Sequence, residues 1–186
     1  VKTKILAGVS NLVYNETLGN IMQCNLDQLG APEFSKEEHL YAKKYQDTLT
    51  RKDIESAYSH AGIDLVEGQV LAETVVAGDV KPVDMGGSTD VADVSWVVPT
   101  VSLWGANYAI GTPFHSWQMT AQGKSSIAIK GMTHAAMVMA ARGYDLTSNK
   151  TILDDAWSEH NKTIEKTGYL LPISLSASPP VKDMAP

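Results

Sequence analysis

The sequence predicts an α/β fold, and three observations predict it. Helical periodicity recurs in several segments, a buried-strand pattern covers residues 97–104, and a loop bounded by Gly111 and Pro113 follows that pattern. The ends of strands in such folds are where sites collect. In chain order, residues 4–9 alternate loosely and read as a strand ending near a turn at Asn15. Leu18, Ile21, Met22, Leu26 and Leu29 then share one helical face, which Gly30 and Pro32 close. Ser35-x-x-Glu38 is a capping box, opening a helix that runs to His60 and Gly62 with a break near Thr50. Residues 63–86, rich in Val, Gly and Asp, read as a long irregular connection. In the 97–104 strand, Pro99 weakens the first half.

A further helix is expected from Ser125 or Ser126 to Gly143, with Ala128, Met132, Ala135, Ala136, Met139 and Ala140 on its packed face. A last amphipathic helix covers residues 151–164, and the Ser/Pro-rich tail 176–186 reads as poorly ordered. No internal repeat is visible. Strands are few for 186 residues, so the expected sheet is incomplete. The chain starts at Val1 inside the first expected strand, which reads as a fragment or processed form.

Hydrophobic residues make up 44% of the chain and charged residues 19%, enough apolar content for a core. A net charge of −6 disfavours a nucleic-acid binder, which needs a basic face. No apolar run reaches the roughly 20 residues of a membrane span, so no membrane partner is expected. The single cysteine, Cys24, excludes an intrachain disulfide framework and suits a reducing, cytoplasmic setting.

Five histidines are present: His39, His60, His115, His134 and His160. No two lie three or four residues apart, so no helix face offers a paired-imidazole metal site. His39 and His160, beside acidic residues, read as solvated helix positions; His134 reads as packing, and His60 as a helix-end residue. His115 stands apart, in a loop beyond the expected strand, and its residue type alone leaves a buried structural role open. The Gly86-Gly87-Ser88-Thr89-Asp90 run is either a ligand loop or a turn that caps a helix. Neither that run nor Gly123-Lys124-Ser125-Ser126 has the G-x-S-x-G form of a serine-hydrolase elbow. A serine enzyme using Ser88, Ser116 or Ser125 is therefore disfavoured.

Taken together, several runs carry a resemblance. They are Ser-Thr-Asp-Val-x-Asp-Val-Ser-Trp at 88–96, Gly-Thr-Pro-x-His-Ser-Trp at 111–117, Gln-Gly-Lys-x-Ser-Ile at 122–127, LDDAWSEH at 153–160 and YLLPI at 169–173. Over residues 1 to about 175 the chain resembles the aminoacylase/carboxypeptidase-like metal-dependent amidohydrolases, a branch of the zinc exopeptidases. The resemblance implies the C-terminal half of a three-layer α/β/α catalytic domain. Residues 1–13 would be the last strand of an inserted lid (dimerisation) domain, 14–175 the catalytic part and 176–186 a flexible tail.

The same resemblance implies hydrolysis of an amide bond to an amino acid, in an aminobenzoyl-glutamate-like or small peptide substrate. Two divalent metals, zinc or in some members manganese, would lower the pKa of a bridging water, with a glutamate as general base. By its place in the His-Ser motif, His115 would be one metal ligand; Ser88, Thr89 and Asp90 would line the substrate pocket. The other ligands and the general-base glutamate would precede Val1, so this chain is expected to carry no catalytic residue and to be inactive alone. Its partners would be the remaining half of the catalytic domain and a small amide or peptide, with homo-oligomers plausible through exposed apolar surface. The alternative is a non-catalytic binding or scaffolding module derived from that fold.

Overall fold

A computed structural model describes residues 5, 7–78, 89–178 and 181. Seven helices follow in order: α1 Glu16–Leu29, α2 Lys36–Gln46, α3 Arg51–Ala61, α4 Val91–Ser95, α5 Trp117–Gln122, α6 Ser126–Ser148 and α7 Lys150–Thr167. The described residues contain no strand, which corrects the α/β expectation, its three-layer form and the lid strand. A strand holds only when its backbone groups pair with a neighbour. Residues 97–104 have no such neighbour. Their first residues are taken up by the end of α4, where the N–H groups of Val97 and Val98 donate to the Val94 carbonyl at 3.0 and 3.1 Å. Pro99 supplies no donor. Of the expected 4–9 strand, Lys4 and Leu6 lie outside the described residues, and Ile5 with residues 7–9 forms no regular structure.

Local signals place the helices. Ser35 and Glu38 form the expected capping box of α2, and Thr50 with Asp53 forms another that starts α3. Gly62, left-handed at φ 67°, ends α3. Helix α6 runs five residues past Gly143, to Ser148. Its packed stripe is Ile127, Gly131, Val138 and Arg142; Met132 and Met139, expected inside, are exposed. Met132 and Met139 are as apolar as Ile127 and Val138, and the packed side also carries Arg142, so periodicity alone could not choose between the two sides.

The chain divides into two units. One gathers Val1–Leu18, Gly86–Val101 and Thr151–Pro186; the other gathers Gly19–Met85 and Ser102–Lys150. The second unit has a core of Ala42, Val70, Leu71, Ala109 and Ile127, bordered by Phe34, Tyr41 and Tyr45. Near it Glu38 meets Lys130 Nζ at 2.7 Å. Burial alone would raise the Glu38 carboxyl; Lys130, Ser126 and the Ser35 N–H outweigh it and hold it at about 2.

In the first unit, α7 caps α1. Glu159 accepts from the Glu16 N–H at 2.5 Å and from the Thr17 N–H and hydroxyl at 2.9 and 2.8 Å. Buried Asn15 donates to the Ala156 carbonyl at 2.9 Å and accepts from the Leu18 N–H at 3.0 Å. Among the described residues no helix is long and apolar enough to cross a membrane, and Cys24 is a free, exposed thiol.

Candidate active site

The His115 loop belongs to the second unit and rests on buried side-chain amides. Gln122, 1% exposed, accepts from the Ala109 N–H at 2.8 Å through Oε1 and donates to Thr112 Oγ1 at 3.1 Å through Nε2. The Thr112 hydroxyl returns a 2.7 Å bond to the Ala109 carbonyl. On the other side, buried Gln46 donates to the carbonyls of Gln69 at 3.0 Å and Ile110 at 3.3 Å. The Ile110 N–H adds a 2.9 Å bond to the Val70 carbonyl. Each of these groups would be costly to leave unpaired once buried, so the loop has few alternative paths.

The turn into the loop needs Gly111. Its φ is 91°, and a Cβ there would lie 3.0 Å from Ile54 Cα. Four residues on, His115 itself is left-handed at φ 59°, the one non-glycine residue with positive φ among those described. That conformation costs on the order of 1 kcal/mol, and such outliers cluster where a side chain has a task. The imidazole is exposed and has no hydrogen-bond partner among the described residues. Ser116 next to it caps α5, donating to the Pro113 carbonyl at 2.7 Å and accepting from the Met119 N–H at 3.2 Å. Ser125 caps α6 in the same way, accepting from the Ala128 N–H at 3.1 Å. Both hydroxyls thus serve backbone groups, and neither is bonded to a histidine.

Aromatic pairs involve the loop and its flanks. Trp104 lies 5.5 Å from Phe114, centroid to centroid, and Tyr108 meets Phe114 edge-on at 6.2 Å and 88°. Trp117 packs on Tyr45 at 6.2 Å.

Ser88 lies outside the described residues. Thr89 and Asp90, both exposed, belong to the first unit and lead into α4. Thr89 Oγ1 accepts from the Val91 N–H at 3.3 Å, while Asp90, the N-cap residue of α4, makes no side-chain cap bond. His115 and the Thr89–Asp90 pair therefore fall in different units.

Three of the other histidines have structural settings, and His60 is exposed near the end of α3. His39 bonds the Ser35 carbonyl at 2.8 Å and Glu73 at 3.0 Å. His134 Nε2 bonds the Gly30 carbonyl at 2.6 Å. His160 corrects the solvated expectation: it is 4% exposed and lies edge-on to Trp157 at 5.6 Å. It shares the buried side of α7 with Ala156.

Among the described residues no three His, Cys, Asp or Glu side chains gather as a metal-binding group. A dinuclear centre does not fit this residue set by itself; His115 could offer one imidazole nitrogen and no more. Sequence pattern assigns Gln46 and Gln122 no role. For Gln122 the only signal is its place at the head of the 122–127 run.

Comparison with known proteins gives one informative relative, a subunit of p-aminobenzoyl-glutamate hydrolase from Escherichia coli (strain K12). The chain is 37% identical to it over a 180-residue alignment, which takes in 91% of this chain. No family model and no solved structure matches the chain. The chain spans 37% of the length of that relative, and it is similar in sequence to part of a hydrolase.

Proposed function

We propose that this chain supplies part of the active site of a metal-dependent amidohydrolase that cleaves an amide bond to an amino acid, with an aminobenzoyl-glutamate-like compound or a small peptide as substrate. The observation that carries the reading is the 37% identity to the p-aminobenzoyl-glutamate hydrolase chain. His115 is the residue assigned to metal: a neutral imidazole is a good ligand for zinc or manganese, and the pinned loop holds it exposed. Thr89 and Asp90, with Ser88, are assigned to the substrate side. The remaining ligands and the general base are assigned to polypeptide outside this chain, so the chain alone is inactive. The exposed stripe of Ile129, Met132 and Met139 on α6 supports a close protein partner, and the rest of such a hydrolase is the occupant proposed. A cytoplasmic setting fits the free thiol of Cys24.

The test follows release of 4-aminobenzoate from N-(4-aminobenzoyl)-L-glutamate. The expected result is no turnover by the purified chain and chelator-sensitive turnover by the natural gene product that carries it. Turnover by the chain alone would contradict the shared site. No turnover by the gene product, with added zinc or manganese, would favour the non-catalytic binding module.

A further inference from the structure

We propose that Trp104 and Phe114 form an aromatic wall beside His115 that stacks the planar acyl ring of an aromatic amide substrate. The inference deepens the amidohydrolase reading and rests on it. Trp104 is 64% exposed and Phe114 47%, although tryptophan is among the most buried residues on average. They are not loose. Phe114 is gripped edge-on by half-buried Tyr108, at 88°, and Trp104 leans on the other ring at 49°. The backbone leading to Phe114 is held by Gln122, Thr112 and Gln46 over residues 109–112.

Gly131 of α6 brings the 102–107 segment in close. A Cβ at that position would lie 2.5 Å from the Ala106 carbonyl oxygen, so only glycine lets the segment approach. Two exposed aromatic rings on a held base are pre-organised for stacking, which favours a flat ring over an alkyl chain of similar size. Phe114 immediately precedes His115, so the wall and the residue assigned to the metal share one loop. The relative is named as an aminobenzoyl-glutamate hydrolase, which selects an aromatic acyl group over other flat ligands.

The experiment titrates the natural gene product with N-(4-aminobenzoyl)-L-glutamate and with N-acetyl-L-glutamate, which has the same amino acid and no ring. The indole N–H signals of Trp96, Trp104, Trp117 and Trp157 are followed by NMR. The aromatic amide is expected to shift Trp104 and leave Trp96 and Trp157 in place. Trp104→Ala should weaken its binding by about tenfold, Trp104→Phe by less, and neither should change the binding of N-acetyl-L-glutamate. Equal affinity for the two amides, an unmoved Trp104 signal, or no binding would overturn the proposal. A Trp104 signal that moves with protein concentration in the absence of ligand would assign the wall to self-association and overturn it as well. Failure of the amidohydrolase reading looks different: the aromatic amide binds at Trp104 and is not hydrolysed.

Discussion

The two units hold their candidate segments by different chemistry. In the unit containing His115, uncharged side-chain amides support the loop: Gln122 meets the buried Ala109 N–H, and Gln46 meets the Gln69 and Ile110 carbonyls. In the unit containing Thr89 and Asp90, α4 is tied at its edges. Ser95 Oγ accepts from the Val13 N–H at 2.8 Å, Trp96 Nε1 donates to the Asn11 carbonyl at 2.8 Å, and Asp93 accepts from the Tyr169 hydroxyl at 2.9 Å. The first arrangement fixes a backbone path over several consecutive residues. The second fixes a single helical turn and leaves Thr89 and Asp90 in solvent. The left-handed His115 follows directly on the segment with the first kind of support.

The largest effect should come from breaking that support. Gln122→Ala orphans the Ala109 N–H and opens a void, and should cost about 3 kcal/mol in urea unfolding. Ser95→Ala, the counterpart in the other unit, should cost about 1–2 kcal/mol. Equal costs would remove the distinction between the units. Gly111→Ala should cost about 2 kcal/mol, since it meets both a positive φ and Ile54. A cost near zero would show that the loop relaxes freely.

Acid offers a sharper cut. The Glu38 carboxyl sits at about 2 when folded, below its ordinary 4.5. A lowered folded value means that its stabilisation is complete above 4.5 and is lost as the pH falls through about 2. Glu38→Gln should therefore destabilise by about 1–2 kcal/mol at pH 7 and flatten the acid limb between those values. An unchanged acid limb would refute the Lys130 pairing.

The smallest effect runs the other way. Arg142 is 6% exposed, and its Nη1 has no hydrogen-bond partner among the described residues. Burial lowers its pKa, because desolvation disfavours the cation. Arg142→Met should stabilise by about 1 kcal/mol in the same assay, and a loss of stability would show that the charge is compensated.

Residues whose structure depends on near neighbours are readable from the sequence. The capping box at Ser35 and Glu38, the break at Thr50 and the stop at Gly62 need only a few adjacent residues. What fails is non-local. A strand at 97–104 requires a partner that no local pattern supplies, and the end of α4 takes its first residues instead. The packed side of α6 is ambiguous because Met132 and Met139 are as apolar as Ile127 and Val138. His160, flanked by polar residues in sequence, is buried on the Ala156 side of α7, and its neighbours in the chain give no hint of that. Gln122 and Gln46 are silent because an amide matters only once the orphan backbone group it meets is known. Of the candidate site, the position of His115 in a constrained loop between Phe114 and Trp117 is legible; its left-handed backbone and the pairing of Phe114 with Trp104 and Tyr108 are not.

The most direct measurement compares His115→Ala with His134→Ala in the natural gene product, recording bound metal, amide hydrolysis and melting temperature together. His134 holds the Gly30 carbonyl, so its loss should lower the melting temperature while metal content stays. His115 has no such bond, so its loss should leave the melting temperature and cut metal affinity and hydrolysis by at least about 100-fold. Unchanged metal content and rate in His115→Ala would contradict the assignment of His115 to the active site.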